Sequence, residues 1–315
     1  MTMGIISYLT FFAVVVTILG IATLGLNLQW GSTGLFNAGV VGFYGIGAYA
    51  QAILTAALRP ELLGNFGLPW IVGIVGSMAC SALMAALVGL VTLRLRGDYL
   101  AITTFGIATV LQVVALNWDS LTGGSLGMTS IPRPLASLFS DPFAYNVFYL
   151  CLTLVAAWIV YIGLERIIRS PWGRVLKAIR DDETAAIALG KNAARFRFEA
   201  FVLGCTVTGL AGALYVSFIG FVGPFDFLPI ITFQIWTMLI VGGSGNNRGA
   251  LLGSLIVWAL WTGSGTLISR IVPAAYQTQG GAIQSILIGL VLVLTLMFKP
   301  RGLIGEEPVV SRHAR

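Results

Sequence analysis

The stretch Gly4 to Leu26, GIISYLTFFAVVVTILGIATLGL, holds no charged residue. A helix needs about 20 apolar residues to cross the hydrocarbon of a bilayer, and this stretch meets that length. It has no basic segment before it and no clear small-residue cleavage site after it, so it reads as a first membrane span rather than a removed signal peptide. Working outward by the same rule, further candidate spans fall at 34–57, 69–93, 99–117, 143–164, 198–220, 228–243, 249–270 and 280–298. The expected fold is therefore all-α, a polytopic transmembrane helix bundle of about nine spans within a range of eight to ten. The stretches 99–117 and 228–243 are the shortest, and are candidates for re-entrant or broken helices.

Composition agrees. Hydrophobic residues make up 57% of the 315-residue chain and charged residues 10%, against roughly a quarter charged in soluble proteins. So few ionisable groups cannot cover a soluble domain, which excludes a soluble enzyme. The net charge of +6 is not a nucleic-acid footprint, because the basic residues sit between apolar runs rather than on one polar face. Cys80, Cys151 and Cys205 lie in apolar segments without CxxC spacing, and are read as packing residues. The lone His313, in the terminal tail, is read as inert.

Lys and Arg favour cytoplasmic loops. With the N-terminus outside and the C-terminus inside, fifteen of the eighteen basic residues fall on one side: Arg94, Arg96, those from Arg166 to Arg197, Arg248, Lys299, Arg301, Arg312 and Arg315. Arg59, Arg133 and Arg270 fall on the other. That split assigns the segment 166–197 to the cytoplasm and the Gly-, Ser- and Pro-rich loop 118–142 to the outside, as an ordered part of the periplasmic mouth or a rigid connector. Gly97 is expected to break the chain and Asp98 to cap the helix after it.

The cytoplasmic stretch Ser170 to Gly190, SPWGRVLKAIRDDETAAIALG, carries the functional argument. Ser170-Pro171 is a helix start and Gly190 a helix stop, so one helix is expected between them. Val175, Leu176, Ile179, Ala186 and Ile187 supply an apolar side, while Arg174, Lys177, Arg180, Asp181, Asp182 and Glu183 supply a charged one. An acidic cluster argues against lying on anionic lipid, which leaves docking to a partner as the preferred reading.

This stretch, followed by FVLGCTVTGLAGALY, resembles the cytoplasmic coupling segment of ABC-transporter permeases for branched-chain amino acids, the LivM type. Further stretches resemble the same family in order along the chain: GLFNAGVVGFYGIGAYA at 34–50, LRGDYLAITTFG at 95–106, NWDSLTGGSLGMTSIPRP at 117–134, VGGSGNNRGALLG at 241–253 and FKPRGLIG at 298–305. Two positions depart from it. Thr184-Ala185-Ala186 stands where permeases generally have Glu-Ala-Ala, with the acid at Glu183, and Val40 stands where a His is frequent.

The resemblance implies a single permease domain over 1–315 in the inner membrane, with no catalysis and no bound cofactor of its own. ATP would be hydrolysed by two cytoplasmic ABC ATPases docked on the coupling helices of this chain and of a second, related permease subunit, and a periplasmic solute-binding protein would deliver the ligand. The chain lacks GxxxxGK[ST], in keeping with that division of labour. Arg174, Lys177, Arg180, Asp181, Glu183, Ala185, Ala186 and Gly190 are the expected coupling residues. A polar solute crossing the bundle needs a few polar contacts, and the candidates within spans are Asn27, Asn37, Gln51, Thr103, Thr104, Gln112 and Gln234. Each also serves helix packing. No ionisable residue sits at mid-span, which disfavours a proton- or sodium-coupled carrier. Branched-chain or other neutral amino acids are the expected substrates. Urea or a short amide is the alternative within the class, because urea permeases resemble the same family. A passive channel and a membrane-embedded transferase are the readings outside it.

Overall fold

The computed structural model describes residues 2–57, 62–95, 97–139, 141–271 and 280–306. Arg59, Arg96, Arg312, His313 and Arg315, used above, lie outside the described residues.

The chain forms α1 (Thr2–Thr33), α2 (Val40–Thr55), α3 (Trp70–Thr92), α4 (Asp98–Asn117), a one-turn α5 (Asp119–Thr122) and α6 (Pro142–Arg169). It continues through α7 (Pro171–Asp181), α8 (Glu183–Ala188), α9 (Ala193–Ile219), α10 (Pro229–Gly242), α11 (Asn247–Ile271) and α12 (Gly280–Phe298). Among the described residues, seven helices are long and apolar enough to cross a membrane: α1, α3, α4, α6, α9, α11 and α12. Two shorter apolar helices, α2 and α10, complete the set. The protein is a multi-pass helical membrane bundle.

The order of elements repeats. A long buried helix (α1), an irregular break at 34–39, a short helix (α2) and two peripheral helices (α3, α4) are followed, after α6 to α8, by a second long buried helix (α9), a break at 220–228, a short helix (α10) and two more peripheral helices (α11, α12). α1 and α9 cross antiparallel through the centre, Phe11 meeting Phe218 at one end and Gln29 meeting Cys205 at the other. The two breaks consequently lie at opposite ends of the bundle. Each break begins at a left-handed glycine, Gly34 (φ +70°) and Gly220 (φ +78°), which ends its helix as few other residues can.

Small residues set the closeness of the central contacts. A Cβ on Gly47 of α2 would lie 2.0 Å from the carbonyl oxygen of Gly209 on α9, so the two backbones touch through their glycines. Side-chain capping fixes four helix starts. Asp141, Ser170, Asp182 and Asn192 each accept a backbone N–H at the head of α6, α7, α8 and α9, and Pro142 and Pro171 occupy first-turn positions where no N–H is required.

The stretch 99–117, a candidate span short enough to be re-entrant or broken, is a continuous helix of 20 residues. Three expectations need correction. The helix expected over 34–57 covers only Val40–Thr55: 34–39 is irregular, and in it the Asn37 carboxamide oxygen accepts the Gly39 N–H in a two-residue turn. Gly97 does break the chain, but Asp98 is the first helical residue and makes no capping bond, so only its charge favours that terminus. Cys80 and Cys151 are exposed on the bundle surface, where apolar thiols face outward at no penalty in lipid; Cys205 alone of the three is buried.

The loop over 118–139 is ordered. It contains α5, two short 3-10 turns and a two-residue strand β1 (Met128–Thr129), which pairs antiparallel with β2 (Phe221–Val222) in the second break. Arg133 donates to the Ile219 carbonyl and stacks over the Tyr145 ring, tying this loop to the ends of α9 and α6.

Candidate functional site: the coupling segment and its connections

Ser170 to Gly190 is two helices. Asp182 leaves the helical region (φ −152°, ψ 102°), and its carboxylate accepts the Ala185 N–H at 3.0 Å, so a residue expected to sit on the charged face is the cap that starts α8. The inner face is apolar as expected: Leu176, Ile179 and Ala186 are buried, the last two in a small cluster with Ala193. The outer face is the tip of α8. Ala185, Ile187, Ala188, Leu189 and Gly190 are exposed there, Leu189 at 79%, with Arg174, Asp181, Lys191 and Arg195 exposed around them. Ile187, expected on the packing side, is 50% exposed, because the break at Asp182 turns α8 relative to α7.

Lys177 and Arg180 do not belong to that outer face. Lys177 Nζ pairs with Glu306 Oε1 at 2.6 Å, and Arg180 Nη1 with Glu306 Oε2 at 2.8 Å. Arg180 also donates to the Gly31 carbonyl at the end of α1 and lays its aliphatic stem 3.3 Å from a Cβ position on Gly34, where the first break begins. Its ion pairs with Glu306 and Asp181 hold the guanidinium charged, raising its pKa further against the opposing effect of burial. Glu183 pairs with Arg197 at 3.4 Å, which fixes α8 to the head of α9. Trp172 donates to Glu199 on α9 at 2.7 Å.

Glu306 belongs to a segment that is itself pinned to the bundle. Leu303 and Ile304 donate their backbone N–H groups to the carbonyls of Val241 and Gly242, at the end of α10. Glu306 therefore joins α7, the end of α1 and the end of α10 at one point. Beside it, Asn27 donates to Asn247 at 2.9 Å and accepts the Gly245 N–H at 2.8 Å, while Asn247 donates to Glu165 of α6 at 2.9 Å.

The remaining polar candidates divide. Asn37 donates to Gln29 at 2.8 Å and its carbonyl accepts from Trp236 Nε1, which ties the first break to α1 and α10. Thr104 accepts from the Ala38 N–H of the same break. Thr103 is partly exposed on α4, and its hydroxyl donates to the Tyr99 carbonyl of its own helix. Gln51 is buried between α2 and α3 against Ser77, and Gln234 is buried in α10. Gln112 donates to the Pro224 carbonyl at 3.3 Å and lines a cavity between α2 and α4. Asn27, Asn37 and Thr104 thus knit the end where the coupling segment lies, whereas Gln112 stands near the opposite end.

Residues that sequence reasoning did not single out are Gln29, Glu165, Asn247 and Glu306. Each acts through a partner far away in the chain, a pairing that leaves no local periodicity.

With this arrangement in view, the comparisons with known proteins are decisive. The family described as "Branched-chain amino acid transport system / permease component" matches residues 8–296. The chain belongs to this family. Among its relatives, the high-affinity branched-chain amino acid transport system permease protein LivM of Escherichia coli is 30% identical over 89% of this chain and 66% of its own length. The probable LivM of Methanocaldococcus jannaschii is 27% identical over 92% of this chain and 91% of its own. The Escherichia coli LivH permease is 26% identical over 91% of each. The chain spans slightly less than two thirds of the length of the Escherichia coli and Salmonella LivM proteins. No solved structure matches the chain. The family's relatives are transport permease subunits, and the bundle of apolar helices is the membrane part such a subunit requires.

Proposed function

We propose that this chain, as one permease domain, is a subunit of an ABC importer that carries branched-chain or other neutral amino acids across the inner membrane, driven by partner ATPases. The observation that supports this best is the construction of α7 and α8. An exposed, mostly apolar tip is backed by a buried face and fastened by Arg180, Lys177 and Glu306 to the ends of α1 and α10. Such a tip presents its surface to a partner and passes that partner's movement inward.

In this reading the tip, Ala185 to Gly190, seats in a cleft of a cytoplasmic ATPase, with Arg174 and Asp181 at its rim. Closure of two ATPases on ATP shifts α7 and α8 on this chain and their counterparts on a second, related permease. Arg180 and Glu306 then pull together on Gly31, Gly34 and the end of α10, which are the points where the helices are already interrupted. The bundle switches between outward- and inward-open forms by movement at these breaks, and the polar groups of the first break, Asn37 and Thr104, re-pair as it does so. A solute-binding protein delivers the ligand at the end formed by the 118–139 loop. The relatives are named for branched-chain amino acids, and the bundle's apolar interior suits a neutral solute.

The test is uptake of radiolabelled leucine, alanine, glutamine and urea by cells expressing the full transporter with wild-type chain, Leu189→Asp or Gly190→Asp, with membrane levels checked. Gly190 has open space around it but a left-handed backbone (φ +77°) that strains any side chain, so Leu189→Asp, which keeps the backbone, is the variant that separates the tip surface from the folding of α8. Loss of amino-acid uptake at unchanged membrane level is expected. Uptake of urea alone makes the carried solute an amide, and unaltered uptake in both variants makes the chain a channel that needs no ATPase.

A further inference from the structure

The seam between α2, α4 and the second break holds two adjoining spaces. The wider is a chamber of about 320 Å³ whose walls reach Trp118, Leu121 and Thr122, where α4 gives way to the 118–139 loop. The narrower is a crevice bounded by Ala38 of the first break, Phe105 and Thr109 of α4 and Pro229 at the head of α10, and it is too tight for a water molecule. Val41, Ala108, Gln112 and Phe227 line both, so these four side chains form the partition between them. The chamber lies at the lower end of the roughly 300–1,000 Å³ range of small-molecule sites. No charged side chain lines either space.

Two contacts build the partition. Phe227 is buried, and its ring lies 3.2 Å from a Cβ position on Gly45 of α2, so the glycine there makes room for it. Gln112 Nε2 donates to the Pro224 carbonyl at 3.3 Å and so joins α4 to the second break. That bond is long for an N–H···O contact. The Gln112 carboxamide oxygen accepts no bond among the described residues, and it is not shut away from solvent-sized neighbours. An amide with one weak bond and one open oxygen exchanges partners at little cost. The hydroxyls on the chamber wall are not available in this way: that of Thr122 is engaged with the carbonyls of Ala115 and Trp118, and that of Tyr49 is closed off from the space. Pro224 and Phe227 both ride on the second break, which β2 ties to β1 of the 118–139 loop. A shift of that loop therefore moves the partition.

We infer that this seam is the solute path through the subunit: the chamber receives the neutral amino acid, and Gln112 and Phe227 are the gate that must part for it to pass along the crevice toward the coupling segment. This rests on the amino-acid reading above and adds to it the residues of the path. Walls without charge suit a solute without net charge. A lipid acyl chain would match the walls but not the carboxamide that spans the end of the chamber.

The experiment uses vesicles holding the complete transporter, with wild-type chain, Gln112→Met or Leu111→Trp. It measures KM for leucine and for alanine, and the loss of leucine and of lysine from loaded vesicles without ATP. Gln112→Met keeps the length of the side chain and forfeits the bond to Pro224, so the ATP-free leucine leak is expected to rise about two- to ten-fold, the scale of one neutral hydrogen bond. The lysine leak is expected to stay at the wild-type level, because nothing on the walls meets its extra charge. Leu111→Trp narrows the chamber, and is expected to raise the leucine KM at least about ten-fold more than the alanine KM, the scale on which apolar pockets discriminate by size. Gln112→Met conserves volume, so it decides the matter if Leu111→Trp does not reach the membrane. An unchanged leucine leak in Gln112→Met, or an equal rise for lysine, overturns the gate. An unchanged leucine-to-alanine KM ratio in Leu111→Trp, or a co-purified lipid displaced by it without effect on uptake, overturns the chamber; in each case amino-acid import stands. A wild-type transporter that imports no amino acid overturns the functional reading instead.

Discussion

Replacing Glu306 by Gln removes one carboxylate from two ion pairs at once, those with Lys177 at 2.6 Å and Arg180 at 2.8 Å. All three side chains are about one-quarter exposed, so water screens the loss only in part. A hydrogen bond to a charged group contributes roughly 1.5–3 kcal/mol. Two are weakened here, but Arg180 keeps Asp181 and the Gly31 carbonyl, and the amide retains a hydrogen-bonding oxygen. The net loosening of α7 from the 299–306 segment is therefore about 2 kcal/mol, within the range that changes a two-state ratio some 5–30-fold. In the complete transporter reconstituted in vesicles, the amino acid imported per ATP hydrolysed is expected to fall by about that factor. Amide exchange in α7 is expected to quicken. Unchanged import per ATP, with Glu306→Gln present at wild-type level, refutes the claim that this junction carries the motion.

Three further outcomes follow from single contacts. Gly47→Ala places a methyl against the Gly209 backbone, and because backbone cannot step aside, α2 and α9 must separate; the variant is expected not to accumulate in the membrane, while Gly163→Ala, in open space, accumulates normally by immunoblot. Asp182→Ala removes the cap of α8 at a cost of about 1 kcal/mol, seen as faster amide exchange across 183–188 with the rest of the bundle unaffected. Asn27→Ala leaves the Asn247 carboxamide oxygen (Oδ1) and the Gly245 N–H without the partner they have in Asn27, and is expected to lower the stability of the detergent-purified protein by about 1–3 kcal/mol in a thermal melt.

Much of the bundle is legible in the sequence because lipid imposes a single strong rule, a long apolar run for every crossing. The rule fails where an apolar run is not a helix. Leu35 and Phe36 are as apolar as any span residue and are packed inward, so 34–57 reads as continuous, and only the turn chemistry of Gly34, Asn37 and Gly39 marks the break. Charge misleads in the same manner at Asp182, where an acid in an acidic cluster looks like a solvated face and is in fact a helix cap. Lys177 and Arg180 have the helical spacing of a surface charge pattern, and nothing local to them points to Glu306, 126 residues beyond Arg180.

The central claim is that the tip of α8 is where an ATPase engages this chain, and site-specific photo-crosslinking from that tip tests it most directly. A photoreactive residue at Leu189, 79% exposed, is expected to capture the ATPase subunit in membranes holding the whole transporter, whereas one at Leu126, 84% exposed at the opposite end of the bundle, is expected to capture none. An ATPase adduct from Leu126, or its absence from Leu189 when the assembled transporter is present, contradicts the account.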